Sequence, residues 1–309
     1  MSSTRIRNGR RAALAAGSIL AMTALTACSS VDEGSGDGDG GKLASLQESG
    51  TVNVAFNGEK PYSYQDDNGE LTGATVALDE KIFGELGIDT VEGTLTEWNS
   101  LIPGLTAGRY DAVSAGMSIL PDRCAQAAFA EPTIMYTTAF LVPEGNPDNL
   151  TDWQSLEESD VKLAVTSGAI EDGYAQETDV ETITVGSSQD GLDAVVSGRA
   201  DAFALTGISL RALAEGTDEA VEATDAFVAT INGVPQIGAG AEVFNPADTE
   251  LLAAYNEKLA PILDDPAQWL EIMGPFGFTE AEMPPEGLTA EMLCEGDLEK
   301  IATELGLDS

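Results

Sequence analysis

The chain has 309 residues, 43% of them hydrophobic, with fourteen Lys and Arg against fifty-three Asp and Glu, a formal net charge of −39 and no histidine. A surface this acidic repels phosphate backbones and anionic headgroups, so nucleic acid and anionic membrane surfaces are excluded as partners, and the excess itself speaks to solubility. Without histidine there is no His-based triad, most zinc sites and general-base schemes fall away, and neither a metal nor a cofactor is expected.

Arg5, Arg7, Arg10 and Arg11 precede an apolar stretch over 12–24 that is too short to span a bilayer, followed by Leu25-Thr26-Ala27-Cys28. This order reads as a secretory signal. The small residue before Cys28, with Leu three places ahead of it, resembles the lipobox of bacterial lipoproteins, which implies a signal peptide over 1–28 and a lipid on Cys28. An ordinary signal with a chance cysteine is the alternative, and the Arg10-Arg11 pair also fits a twin-arginine signal. Cleavage leaves ten basic against fifty-three acidic residues, a net −43. Residues 29–42, rich in Ser, Gly and Asp, have nothing to bury and are predicted to be a flexible tether. No later run is apolar enough to cross a bilayer, so the expected place is the cell membrane, held by lipid on the extracellular or periplasmic side.

About 265 residues remain from Leu43, which suits two lobes rather than one small core. A first strand is predicted over 52–56, a hairpin turn at Asp66-Asp67-Asn68-Gly69, and a helix over 74–86 with Val76, Leu78, Ile82, Phe83 and Leu86 on one face. Gly108-Arg109-Tyr110-Asp111-Ala112 recurs ninety positions later as Gly198-Arg199-Ala200-Asp201-Ala202, each time after an apolar helical stretch and before a buried strand, at 112–115 and 202–205. Glycine suits the left-handed residue that ends a helix. Further strands are predicted at 90–95, 139–142, 162–165, 182–185 and 237–244, with helices at 153–159, 170–176, 192–197, 208–214, 249–263 and after Pro266. The alternation gives an α/β fold of two similar lobes, 43–141 with 240–309 and 142–239, hinged near 141–143 and 237–240. With Cys28 lipidated, Cys124 and Cys294 are an even pair in an oxidising compartment and read as a disulfide tying the C-terminal tail to the first lobe.

From about Gly50 to Phe278 the chain resembles the type II periplasmic solute-binding proteins of ABC importers, in the branch that takes polar amino acids. The likeness is carried by 56–62, Gly73, 98–108, Asp111, Gly116, Arg123, Phe129-Ala130-Glu131-Pro132 and Gly198-Arg199-Ala200-Asp201. The run 95–105, Pro121-Asp122-Arg123-Cys124 and Leu293-Cys294 are further similar to the ectoine/hydroxyectoine-binding subgroup. The resemblance implies two lobes on a hinge that close over one small zwitterionic solute, and a monomer that presents its closed form to a membrane permease driven by a cytoplasmic ATPase.

Arg123 opens a predicted helix, and its rigid guanidinium fits a carboxylate bidentately; the resemblance implies that it holds the carboxylate of the solute. Glu59 stands where the subgroup pairs a carboxylate with the delocalised amidinium of ectoine. Tyr62 and Trp98 offer faces for the same cation, or are ordinary half-buried aromatics. Around Ser167-Gly168-Ala169-Ile170-Glu171 a strand runs through a glycine turn into a helix, offering backbone N–H groups to an anion. Glu171 matches an acidic residue that approaches the ligand in the subgroup, although a first-turn Glu also suits the helix dipole. Thr206 replaces the aspartate with which amino-acid-binding relatives pair the α-ammonium. Two departures make the pocket roomier and looser: Ser118, beyond Gly116, replaces an expected phenylalanine, and Ile170 stands where a hydroxyl residue would fit. The ligand expected first is ectoine or hydroxyectoine, with another cationic compatible solute or a polar amino acid next. A dehydratase-like enzyme, limited to Glu59 and Glu171 for proton transfer, and a module that only signals to a membrane partner are the rivals.

Overall fold

A computed structural model describes residues 41–178 and 180–306; the signal, Cys28 and all but the end of the tether lie outside the described residues. The first part of the chain forms α1 (Lys42–Ser49), β1 (Thr51–Phe56), β2 (Tyr64–Gln65), β3 (Leu71–Thr72), α2 (Ala74–Glu85), β4 (Thr90–Leu95), α3 (Leu101–Thr106), β5 (Ala112–Ser118), α4 (Pro121–Cys124), β6 (Ala128–Phe129) and β7 (Ile134–Tyr136). There follow β8 (Thr138–Pro143), α5 (Trp153–Glu157), β9 (Leu163–Thr166), α6 (Ile170–Glu177), β10 (Thr182–Val185), α7 (Ser188–Val196), β11 (Ala202–Thr206), α8 (Gly207–Glu215), β12 (Val221–Ala223), β13 (Thr230–Ile231) and β14 (Val234–Pro235). The chain then returns through β15 (Gly238–Phe244) and ends in α9 (Thr249–Leu263), α10 (Pro266–Met273), α11 (Ala290–Glu295) and α12 (Leu298–Leu305).

The strands form two main sheets, ordered β4-β1-β5-β15-β6 with β7 also on β15, and β10-β9-β11-β8-β12. Each has three parallel strands beside one antiparallel strand. The sequence echo occupies matching places in them. Gly108 and Gly198 end their helices at φ +67° and +68°, where a side chain would be strained. Asp111 then accepts the N–H of Asn53 at 2.8 Å, and Asp201 that of Lys162 at 2.9 Å. In each lobe the aspartate pins the chain at the neighbouring parallel strand, which explains why Gly and Asp recur.

The crossings differ from the sequence expectation. Residues 139–142 read only as a buried strand, but Phe140 and Leu141 pair with Ala204 and Phe203 in the second sheet. Tyr136 pairs with Gly238 in the first sheet. The outward crossing is therefore at Thr137 rather than 141–143, and the return runs from Gln236 to Ile237, so 138–141 join the second sheet and Gly238 and Ala239 the first. An apolar run announces burial on both faces but not the partner strand. The tether's expected last residue, Lys42, instead opens α1 and pairs with Asp111.

Aromatic packing fills the first lobe, with Tyr255 against Phe83 and Phe244 and Trp269 against Phe278. The second sheet is buried on both faces. Phe140 and Val142 pack toward Trp153 and Leu163, while Ala139 and Leu141 pack toward Leu192 and Phe203. In the first lobe, β15 breaks register between Ala241 and Val243, at Glu242, which is buried near Asp79. Asp79 accepts from the Tyr255 hydroxyl at 2.8 Å. Burial raises Asp79 to about 6, and burial plus the charge of Asp79 raises Glu242 well above the carboxylate range. Glu242 therefore keeps its proton beside Asp79.

The C-terminal tail is joined to α4 by the Cys124–Cys294 disulfide, whose Cα atoms are 5.7 Å apart. Leu293, Ile301 and Ala302 belong to the first-lobe core, and α12 also packs against β14 of the second lobe.

Candidate functional site between the lobes

Parallel strands end with their C-terminal edges toward connecting loops, where open α/β sheets place ligands. Both lobes turn that edge to one cleft. β1 leads to Glu59 and Tyr62, β5 ends at Gly116 and Ser118 before Arg123 on α4, β9 runs into the Gly168 turn and α6, and β11 ends at Thr206. Trp98 sits on a single 3-10 turn after β4. Glu59, Tyr62, Trp98, Gly116, Ser118, Arg123, Ile170, Glu171 and Thr206 line one cavity, and Gly168 adjoins it through its carbonyl. All ten residues singled out from sequence thus meet at one place.

Arg123 is held by its own backbone contacts. Nη1 donates to the Ser118 carbonyl at 2.9 Å and Nη2 to the Gly168 carbonyl at 2.8 Å, while the guanidinium lies 5.3 Å from the centre of the Trp98 ring. Burial lowers its pKa to about 10, against the opposing pull of Tyr136 and Glu171, so it remains a cation at neutral pH. The Trp98 indole also donates to the Gly168 carbonyl, at 3.3 Å. Gly116 has φ +53°, and a Cβ there would lie 2.8 Å from the Tyr62 ring, so glycine lets that ring reach the cavity wall. Tyr62 in turn packs edge-on against Tyr136 at 5.8 Å.

A chain of hydroxyls crosses the cleft opposite Arg123. Tyr62 and Thr206 share a hydrogen bond of 2.9 Å, the Thr206 hydroxyl donates to Ser209 at 3.0 Å, and Ser209 donates to Glu59 at 2.7 Å. Burial raises the pKa of Glu59, partly offset by its bonds from Ser209 and Asn57. Glu171 is wholly buried on α6, and burial raises it to about 8. Neither of its oxygens has a hydrogen-bond partner among the described residues.

Tyr136, Thr166 and Ser209 also belong to the site and were not anticipated. Thr166 lies just past the strand expected at 162–165, Tyr136 outside every expected element, and Ser209 within the helix expected at 208–214; in none does the local pattern show which way the side chain faces. The site is built to grip a solute with a carboxylate on one side, and it offers buried carboxylates and aromatic faces to a cation on the other.

Comparison with known proteins agrees with this architecture. Over 222 residues, 70% of this chain and 74% of the relative, it is 33% identical to a probable amino-acid ABC transporter periplasmic-binding protein, y4tE, of Sinorhizobium fredii. The crystal structure of EhuB in complex with hydroxyectoine matches at a TM-score of 0.73 and 30% identity, covering 83% of this chain and 98% of that one. A cyclohexadienyl dehydratase of Pseudomonas aeruginosa is 33% identical over 92 residues, 29% of this chain and 34% of the enzyme. Residues 52–269 match the model of the bacterial extracellular solute-binding proteins, family 3, and with two α/β lobes around a polar cleft the chain belongs to that family.

Proposed function

We propose that this chain is the solute-binding component of an amino-acid-type ABC importer and that it captures an ectoine-type zwitterion, ectoine or hydroxyectoine, between its lobes for delivery to a membrane permease. The observation that carries the ligand class is Thr206. A free α-ammonium asks for a carboxylate beside it, whereas here a neutral hydroxyl, committed to Tyr62 and Ser209, holds that position. A delocalised cation next to aromatic faces suits this wall better, and Arg123 under Trp98 supplies the partner for the carboxylate. The similarity to EhuB supports the same choice. A lipid on Cys28 would hold the protein at the membrane surface, with the acidic segment after it as the tether.

Calorimetric titration of the mature chain against ectoine, hydroxyectoine, glycine betaine and a panel of amino acids tests this reading. Ectoine-type zwitterions are expected to bind at least tenfold tighter than any proteinogenic amino acid, a difference of about 1.4 kcal/mol, and Thr206→Asp is expected to narrow the gap. Tighter binding of glutamine or arginine by the unmutated protein would leave the importer component standing with an amino acid as its cargo. Turnover of a prephenate-like or arogenate-like substrate in the same samples would instead establish an enzyme.

A further inference from the structure

The chain does not stop at the disulfide. Beyond Cys294 it runs through Gly296 into α12, and the tail that follows α10 meets the second lobe beside both crossings. At the outward crossing, a 3-10 turn over Glu280–Glu282 packs against β7, and the Glu282 carboxylate lies 3.7 Å from the guanidinium of Arg211 on α8. One turn earlier on the same helix, Ile208 is buried with the first-lobe core rather than with its own. At the return crossing, α12 packs against β14, and Leu293, Gly296 and Leu298 border one small space with Tyr174 of α6, Gln236 and Ile237.

On its other side the tail is fixed to the first lobe. Ile301 and Ala302 are buried in that core, and Cys294 is bonded to Cys124. Gly296 lies so close to α4 that a Cβ would come within 2.6 Å of Pro121 Cγ. With eight residues, α12 is too short to be stable alone, so its position follows from what it packs against on each side.

We propose that the C-terminal tail is a brace across the hinge: anchored on the first lobe, it bears on β14 and α8 of the second and favours the closed arrangement before a solute arrives. None of these contacts belongs to the wall that meets the solute. They act on the empty protein, and they reach the solute only through the fraction of molecules already closed. The apolar contact carries more than the ionic one. Arg211 is half exposed, and an exposed ion pair is worth little, whereas Val234 and Leu298 are each half-buried and lose apolar neighbours when the lobes separate. Affinity is thereby set in part from outside the site. Loosening the brace weakens every solute by the same factor and leaves the preference among solutes unchanged.

The test is small-angle scattering and calorimetric titration of the full mature chain, unmutated and as Val234→Ser, Leu298→Ala and Leu270→Ala, with hydroxyectoine and arginine as probes. The first two variants reach the seam from opposite sides. Leu270 lies on α10, which packs on α2 and α9 within the first lobe, so its variant loses stability without loosening the brace; thermal melts establish that each variant folds. Val234→Ser and Leu298→Ala are each expected to enlarge the radius of gyration of the solute-free protein and to leave that of the saturated protein unchanged. Both are expected to weaken each probe that binds by one common factor of about three. Leu270→Ala is expected to keep the unmutated radius and affinity. An unchanged solute-free radius in both seam variants overturns the brace, as does a more compact one with tighter binding, or the same expansion in Leu270→Ala. The solute-free scattering decides the brace even where neither probe binds, and silence toward hydroxyectoine then counts against the zwitterion reading alone.

Discussion

At the scale of single residues, Arg123 has two backbone acceptors and an aromatic face fixing its direction before any solute arrives. A preoriented guanidinium loses little freedom when it takes a carboxylate, so Arg123→Ala is expected to abolish detectable binding, a loss on the order of 3 kcal/mol or more, with the melting curve nearly unchanged. Unaltered affinity would remove Arg123 from the site. The Asp79–Glu242 pair makes a different test, because it lies outside the cleft. Both groups titrate higher in the folded chain than in the unfolded one, so the stability they contribute is fully present below pH 4 and is lost as pH rises through about 6 for Asp79 and on toward the higher value of Glu242. Glu242→Gln keeps a hydrogen-bond donor toward Asp79 and cannot ionise. Its melting temperature is expected to fall less than that of the unmutated protein between pH 5 and 9, and parallel curves would show that the pair carries no proton linkage.

At the scale of elements, α4 is only Pro121–Cys124, too short to stand without support. Support comes from the tail, where Cys294 of α11 is bonded to Cys124, the residue next to Arg123. The bond closes a sequence separation of 170 residues, and losing it is expected to cost about 2–4 kcal/mol. Cys294→Ser should therefore lower the melting temperature and weaken solute binding together. In the unmutated domain, mass spectrometry should find Cys124 and Cys294 in one cross-linked peptide, two protons lighter than the reduced form. A variant that melts earlier but binds equally well would confine the tail to stability.

At the scale of the whole molecule, the lobes are joined across the cleft by hydrogen bonds from Tyr62 to Thr206, Ser209 to Glu59, Trp98 and Arg123 to the Gly168 carbonyl, and Asn99 to Ser167. This is a closed arrangement held by several modest bonds, each worth about 1 kcal/mol net. Ser209→Ala removes one of them without touching Arg123 or Trp98. It is expected to reduce affinity by about fivefold and, in small-angle scattering, to leave the solute-free protein more expanded. An unchanged radius of gyration and affinity would show that Ser209 does not latch the lobes.

Much of this molecule was legible in the sequence because it depends on short-range chemistry. The strand at 90–95 and the helix at 249–263 follow from local patterns, and the glycine–aspartate echo marks equivalent turns in the two lobes. Arg123 and Trp98 were found because they fall on motifs that resemble the solute-binding family, and a guanidinium and an aromatic face suit a zwitterion there. Other features depend on long-range pairing. The crossing at Thr137 became visible only when Phe140 was seen bonded to Ala204, and α1, with Leu46 its only fully buried residue, has too little apolar pattern to announce itself. The partners of Glu59 and Glu171 were equally inaccessible, since they depend on which distant donors reach each carboxylate. Ser209, 150 positions away, reaches Glu59, and no described residue reaches Glu171. The sequence by itself determined the two-lobe α/β plan, because periodicity and turn chemistry are local, and named the cleft residues only through family resemblance; only the tertiary structure decided which polar groups of the cleft find partners, because that depends on contacts between distant segments.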